Sequence, residues 1–450
     1  MIDFLFSDRY FGHQNNSSII KTKIILASFS LAFGSRHAQI EIDPTKVLAI
    51  LRTKSVPPPT SLYSVIEHAL SHPIAGDPFD SIFRSAKDVT VILPDKTRNC
   101  GAPIFLPMLL RRLREIGVTE SKTKIVLATG THAAHTQEQK EKIVGKEIAQ
   151  RIQIIEHDCH HSEDLVFLGE TRFGTPVFIN RNVVDADKVL IAGTAVHHYF
   201  AGFGGGPKMI NPGCAGYETI TKNHALTIDP ESGWVHPNCR AGLMTNNPVQ
   251  MDIADSMKFL TTDFLFETVL NDSGEVVAVS AGEPESAHRQ ACGWVDEFYK
   301  VNIQEKADLV IVSAGGYPKD INFIQTHKSL HNAFCAVKEG GVILAFAECR
   351  EGIGSDTFLG WFDYRDEGQF LENLKREYKV NGTTALALKM KTRSVTIILV
   401  SSLPEELVIK LGMIPAATAD DAWRVAQARL PQHFKSYIIP NGSLTLPQLN

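Results

Sequence analysis

From residue 88 onward the chain alternates short apolar runs with amphipathic segments, and this alternation constrains the fold more than any other feature. DVTVILPD (88–95) reads as a strand, PIFLPMLLRRLREIG as a helix, KTKIVLATGTH as a strand, TQEQKEKIVGKEIAQR as a helix and ADKVLIAGT as a further strand. A second block of the same kind starts near residue 303. There KADLVIVSAGG, GGVILAFAEC and VTIILVSS read as strands, and THKSLHNAFCAVKEG, closing at Gly340, FLENLKREYKV and a segment opening at LPEELVIKLG read as helices. Strands that are apolar throughout need both faces covered by helices. The expected class is therefore α/β, with two α/β domains carrying parallel-type sheets and a ligand cleft between them.

A chain of 450 residues exceeds one core of ordinary size. The expected division is an N-terminal domain over 1–302 and a C-terminal domain over 303–436. Residues 1–22 form a variable lead, and the tail at about 437–450 returns to the first domain. SVPPPTSLYS (55–64) reads as a stiff spacer into a helix near 60–71, because consecutive prolines favour an extended conformation.

Composition narrows the partners. With 44% hydrophobic residues, 21% charged residues and a formal net charge of −5, the chain has no basic excess to hold nucleic acid. No run reaches the roughly 18–20 apolar residues of a membrane span, the longest candidate being KIILASFSLAF at 23–33. Asp3 stands where a signal peptide would want a basic residue, so a cytoplasmic protein without membrane contact is expected. The seven cysteines include no CxxC pair and read as small buried or half-buried thiols rather than disulfides or a zinc site.

In parallel sheets ligands collect at the carboxyl ends of strands, where the reactive residues of this chain fall. DKTR follows one strand: Asp95 can accept ligand hydroxyls while Arg98 grips a carboxylate or phosphate, or the four residues simply cap a helix and pair at the surface. GTHAAH follows the next and offers His132 as a proton carrier near neutral pH. The third strand leads into HHYFAGFGGGPK, with His197, His198 and Lys208, and then into TITKNHAL with His224. FGGGPK lacks the Ser or Thr that follows the lysine in triphosphate-binding loops and has Pro207 before it, so that motif fails. What remains is a glycine-loosened backbone delivering one amine, a candidate for a lowered pKa and a covalent bond. EHDCHH (156–161) has no regular metal-ligand spacing and reads as a surface loop. In GYPKDINFIQTHK, Gln325 and Lys328 are spaced to share a helical face and could hold one carboxylate together.

Taken together, DKTR, GTH, HHYFAGFGGGPK, NHAL and GGYPKDINFIQTHK resemble the lactate racemase family that depends on a nickel-pincer nucleotide. The resemblance runs from about residue 85 to 430 and includes AFAECREGIGS and SSLPEELVIKLGM. It implies two α/β domains, the first binding a covalently attached nickel pyridinium-3,5-bisthiocarboxylic acid mononucleotide, whose sulphur arms supply metal ligands that this chain does not. It implies that Lys208 joins the cofactor through a thioamide, that His224 completes the nickel coordination, and that His132 and His198 are the general acid and base on opposite faces of the substrate. Asp95 and Thr97 are then cofactor contacts, and Arg98, Gln325 and Lys328 are substrate-side groups. His197 receives no role.

The implied activity is racemisation or epimerisation of a small 2-hydroxy acid. Hydride leaves C2 for the pincer while a histidine takes the hydroxyl proton, and return on the other face inverts the centre. Cofactor biosynthesis proteins are implied partners. Two departures bear on the substrate's side chain: Ile324 stands where lactate-specific members can present a larger polar aromatic residue, and NGTT (381–384) lacks a bulky or basic group. The alternatives are a carrier for the nickel nucleotide, which would need Lys208 and His224 but not two opposed bases, and a metal-dependent hydrolase, which would be expected to show an HExxH or similar spacing.

Overall fold

A computed structural model describes residues 6–9, 24–364 and 366–450. The chain folds as two compact units, one inserted in the other. The inserted unit is Lys54–Phe298 with Leu371–Thr383; the host unit takes the chain up to Thr53, Tyr299–Phe370 and Thr384–Asn450.

The inserted unit is built on a six-stranded sheet in the order Val276–Gly282, Phe264–Leu270, Lys188–Thr194, Val89–Pro94, Thr123–Ala128, Gln153–Glu156. Neighbours run parallel, except that Val276–Gly282 returns antiparallel at one edge. Successive residues of the central strands enter opposite cores. Val91, Leu93, Ile125, Leu127, Leu190, Phe264 and Phe266 pack in one cluster, and Ile92, Val126, Val189, Ile191 and Leu265 in another. This two-sided burial is why these strands are apolar without alternation. Ala102–Glu115 forms the expected helix after the first strand. The helix expected over 136–151 is broken into Gln137–Val144 and Lys146–Arg151, because Gly145 adopts a φ of 94°.

The host unit carries a second six-stranded sheet, Ile414–Ala416, Thr396–Val400, Val337–Phe346, Ala307–Ser313, Ser436–Ile439, Val47–Ile50, parallel throughout. The expected domain boundary at 302/303 lies close to the observed change at Phe298/Tyr299, but the ends of the chain group differently. Val47–Ile50 pairs with Ser436–Ile439, and Leu446–Leu449 pairs with Lys300–Ile303, so both ends belong to the host sheet system. KIILASFSLAF contributes the strand Ile24–Phe33, which pairs antiparallel with Arg36–Ile42 and buries Ala27, Phe29, Leu31 and Phe33. Among the described residues no helix is long and apolar enough to cross a membrane. The variable lead expected over 1–22 lies outside the described residues, apart from the strand Phe6–Arg9.

The helix expected to close at Gly340 ends at Ala336, and Val337–Phe346 is already strand. The β-branched Val337 begins the sheet side of that boundary, where it is buried. All seven cysteines are free thiols, six of them buried and Cys335 partly so.

Phe79, Phe83 and Phe264 form an aromatic knot with centroids 4.6–6.2 Å apart, and all three are fully buried against the sheet that carries the reactive strand ends. Phe264→Ala is expected to cost about 3–5 kcal/mol of unfolding free energy. Urea unfolding followed by tryptophan fluorescence checks this, and an unchanged midpoint contradicts it.

Candidate active site

The three strand ends expected to converge do so within the inserted unit. Asp95 follows Val89–Pro94 and is 3% exposed. Its Oδ2 accepts from His132 Nδ1 at 2.6 Å, and its Oδ1 accepts from the Thr97 amide at 3.2 Å and the Thr97 hydroxyl at 2.7 Å. Burial alone would raise the Asp95 carboxyl; the hydrogen bond and charge of His132, with Thr97 and Arg98, outweigh it and hold the group at about 2. Asp95, expected as a cofactor contact, is thus placed as the partner that orients His132. The Thr97 side chain caps that same carboxylate.

His132 itself is half exposed and directed by the carboxylate behind it. His135, from the same GTHAAH motif, is buried and ties the loop down: its Nδ1 lies 2.8 Å from Glu156 Oε1, and its Nε2 accepts the Lys96 amide at 3.1 Å. EHDCHH is in part the surface loop expected, since Asp158, His160 and His161 are exposed, but it is anchored inward. His157 and Cys159 are buried, and His157 Nε2 reaches the Ala215 carbonyl at 2.8 Å, joining this loop to the segment after Lys208.

The glycine stretch forms a short hairpin, Val196–His198 with Gly202–Gly204, followed by a 3-10 turn at Gly206–Met209 that carries Lys208. Phe200, at the hairpin's tip and 4% exposed, is the hub. Its ring lies 4.5 Å from the His198 ring, 5.0 Å from the His224 ring and 5.3 Å from Lys208 Nζ. Arg98 joins from the first strand end, its guanidinium packed so close to Gly204 that a Cβ there would stand 2.6 Å from Arg98 Nη1.

Lys208 is 7% exposed, and among the described residues no carboxylate or carbonyl lies within hydrogen-bond distance of its amine. Burial, reinforced by the charge of Arg98, drives the amine well below the ordinary lysine range. Burial, then the charge of Lys208, lowers His224 to about 3, so its imidazole is neutral at physiological pH. The His224 Nδ1 is buried without a hydrogen bond. The helix Tyr217–Ala225 that presents His224 is anchored on both sides. Asn223 donates to Asp252 at 2.8 Å and to the Val249 carbonyl at 3.1 Å, while the His224 carbonyl accepts from Thr227 at 2.6 Å. Thr227 meets Thr383 at 2.6 Å, and Thr383 meets the Tyr378 hydroxyl at 2.7 Å. NGTT, which lacks the bulky group expected near a substrate, thus contributes a hydroxyl buttress behind His224.

His198 Nδ1 accepts the Ala201 amide at 3.3 Å. His197 turns away from its neighbour and its Nε2 bonds Asp296 at 2.8 Å, which gives it a structural place. Gln325 and Lys328 stand in the host unit on the helix Phe323–Ala336. They share a face as their spacing implies, with Lys328 Nζ donating to Gln325 Oε1 at 2.6 Å. Sequence reasoning missed Phe200 as the hub, His135, and the Tyr378–Thr383–Thr227 chain. Phe200, His135 and Thr383 lie inside motifs already singled out, HHYFAGFGGGPK, GTHAAH and NGTT, but the partners that give them their places are distant in sequence.

Comparisons with known proteins identify the family of the chain. The model described as "Lactate racemase N-terminal domain" matches residues 33–235, and that described as "Lactate racemase C-terminal domain" matches 302–445. A lactate racemase of Thermoanaerobacterium thermosaccharolyticum is 29% identical over 93% of this chain and 98% of its own. One of Lactiplantibacillus plantarum is 28% identical over 93% of this chain and 99% of its own. The structure of the T. thermosaccharolyticum lactate racemase apoprotein superposes with a TM-score of 0.87, covering 94% of this chain and 100% of that one. A Thermotoga maritima protein, 19% identical with a TM-score of 0.66 over 88% of this chain and 100% of that one, shares the fold. The two domain matches together cover most of the length, and the chain belongs to the lactate racemase family.

Proposed function

We propose that this protein is a racemase or epimerase of a small 2-hydroxy acid working with a nickel-pincer nucleotide joined to Lys208. The observation that carries the reading is the convergence of Lys208, His224 and His198 on the Phe200 ring, beside a His132 held by Asp95. The residues fit such a group. Lys208 is a buried amine without a counter-charge, suited to a covalent bond through its neutral form. His224 is a neutral imidazole with an unsatisfied buried nitrogen, suited to nickel. Among the described residues no group of three or more His, Cys, Asp or Glu side chains is gathered as a metal site, so a metal on His224 would take its remaining donors from the nucleotide.

When bound, the group supplies an acceptor that takes and returns the hydride at C2. The protein's own residues handle the proton. Asp95 is an acceptor, so His132 donates through Nδ1 and its neutral ring carries the lone pair on Nε2, the form that removes a hydroxyl proton. His198, whose Nδ1 lies 3.3 Å from the Ala201 amide, is assigned the return of a proton to the substrate oxygen, which its protonated, imidazolium form would give. An inversion asks for a neutral ring as base on one face of the substrate and a protonated ring as acid on the other. A carrier would need neither, which favours the enzyme. Arg98 supplies a cation for the substrate carboxylate at the same strand ends. Lactate, the substrate in the relatives' names, is the first acid to test. Ile324 leaves the side-chain preference to a wider panel of 2-hydroxy acids.

Polarimetry on single enantiomers, with enzyme made alongside the cofactor's biosynthetic proteins, tests the reading directly. Interconversion of at least one acid is expected, and inactivity of the loaded enzyme on all of them favours the carrier. Intact mass of the loaded protein is expected to show an adduct that disappears in Lys208→Ala; an adduct surviving there sinks the attachment. His132→Ala and His198→Ala should each lower turnover by about 10²–10⁴-fold with the adduct retained, and undiminished turnover refutes the role of that histidine. Asp95→Asn should lower kcat by about 10–100-fold while the adduct persists, since the amide can no longer fix the His132 tautomer.

A further inference from the structure

Directly beneath the Lys208 turn lies a pair of charged groups that the proposed chemistry does not use. Glu267, on the strand Phe264–Leu270, is 0% exposed, and His288 is 2% exposed. Glu267 Oε2 lies 2.8 Å from His288 Nδ1, and the other oxygen, Oε1, accepts the Gly206 amide at 2.7 Å. His288 Nε2 in turn meets Cys292 Sγ at 3.4 Å. Burial would lower His288, but the charge and hydrogen bond of Glu267 prevail and raise it well above the ordinary range, so the two form a buried ion pair.

A fully buried ion pair is an expensive way to fill space, since hydrophobic residues of similar volume usually serve stability as well or better. Its geometry indicates what it does here. Gly206 opens the 3-10 turn that carries Lys208, with the Lys208 amide bonded to the Gly205 carbonyl at 3.1 Å. A Cβ on Gly205 would overlap Glu267 Oε1 and lie 2.5 Å from the Thr194 carbonyl, and one on Gly206 would overlap the His288 ring. Both glycines have left-handed φ, 92° and 49°. The turn therefore rests on the pair with no side chain between them. The carboxylate holds the first amide of the turn, while the imidazolium neutralises that carboxylate, so that its charge is not offered to the Lys208 amine.

We propose that Glu267 and His288 are positioning residues for Lys208: they fix the turn so that the amine stays buried against Phe200 without a counter-charge. This rests on the reading of Lys208 as the attachment residue, but it is testable without nickel, nucleotide or substrate.

The test uses the full apoprotein and two variants. Glu267→Gln keeps the reach of the side chain and an oxygen for the Gly206 amide; Glu267→Asp keeps the charge but withdraws it by one methylene. Trace acetylation of Lys208 with acetic anhydride, read by peptide mass spectrometry across pH, reports the amine's titration. In wild type the midpoint should lie well below the ordinary lysine value of about 10.4. Glu267→Gln should keep that midpoint, whereas Glu267→Asp should move it toward the ordinary value by about one unit, a tenfold change in the reactive fraction at a fixed pH. Unchanged titration in Glu267→Asp, or loss in Glu267→Gln with retention in Glu267→Asp, overturns the proposal. Should both variants lose their fold by circular dichroism, hydrogen exchange of the wild-type peptide covering 203–209 decides. A protected Gly206 amide supports the proposal, and exchange at the rate of unstructured chain overturns it. A racemase assay that fails while these results hold would remove the proposed function and leave the positioning role standing.

Discussion

An amine buried without a carboxylate is the constraint on which the site depends. Lys208 is nearly inaccessible, faces an aromatic ring, and has a guanidinium rather than an anion as its charged neighbour. Water solvates an ammonium far better than such a pocket does, so the neutral, nucleophilic form is favoured there. The same field reaches His224 and keeps its imidazole neutral. Burial thereby disfavours the charged form of both groups. The folded protein sustains it through neighbouring parts that are well satisfied, from the Asp95 network to the chain of hydroxyls behind the His224 carbonyl.

The scaffold supplies these parts by a simple rule. Strands apolar on both sides must lie inside a parallel sheet, and their carboxyl ends then open together at one rim. Asp95, His132 and His198 each follow such an end. The two histidines differ in what stands behind them: a carboxylate behind His132 and a backbone amide beside His198.

Much of this was legible in the sequence because it depends on local pattern. Apolar runs bounded by glycine and polar residues located the central strands, and HHYFAGFGGGPK with NHAL marked the reactive segment. What escaped notice depends on distant partners. The hydrophobic run at 24–33 is too short for a helical membrane span, but its own pattern does not name its partner strand, Arg36–Ile42. Val47–Ile50 completes the host sheet beside a strand nearly four hundred positions later, which no local pattern signals. Thr383 reaches His224 from a segment that sequence order assigns to the other domain. Glu267 offered one clue, a lone carboxylate inside FLFETVL, since a charge in a fully buried strand must have a partner. That the partner is His288 and that both support a glycine turn emerged only from the fold.

The account assigns the histidines to the hydroxyl proton and leaves the weakly acidic C2 hydrogen to transfer as hydride. Racemisation of a C2-deuterated single-enantiomer 2-hydroxy acid in ordinary water, analysed by mass spectrometry after chiral separation, tests this assignment most directly. Deuterium retained at C2 in the inverted product is the predicted result. Its replacement by solvent hydrogen would mean that a histidine removes the C2 proton itself, and would contradict the account.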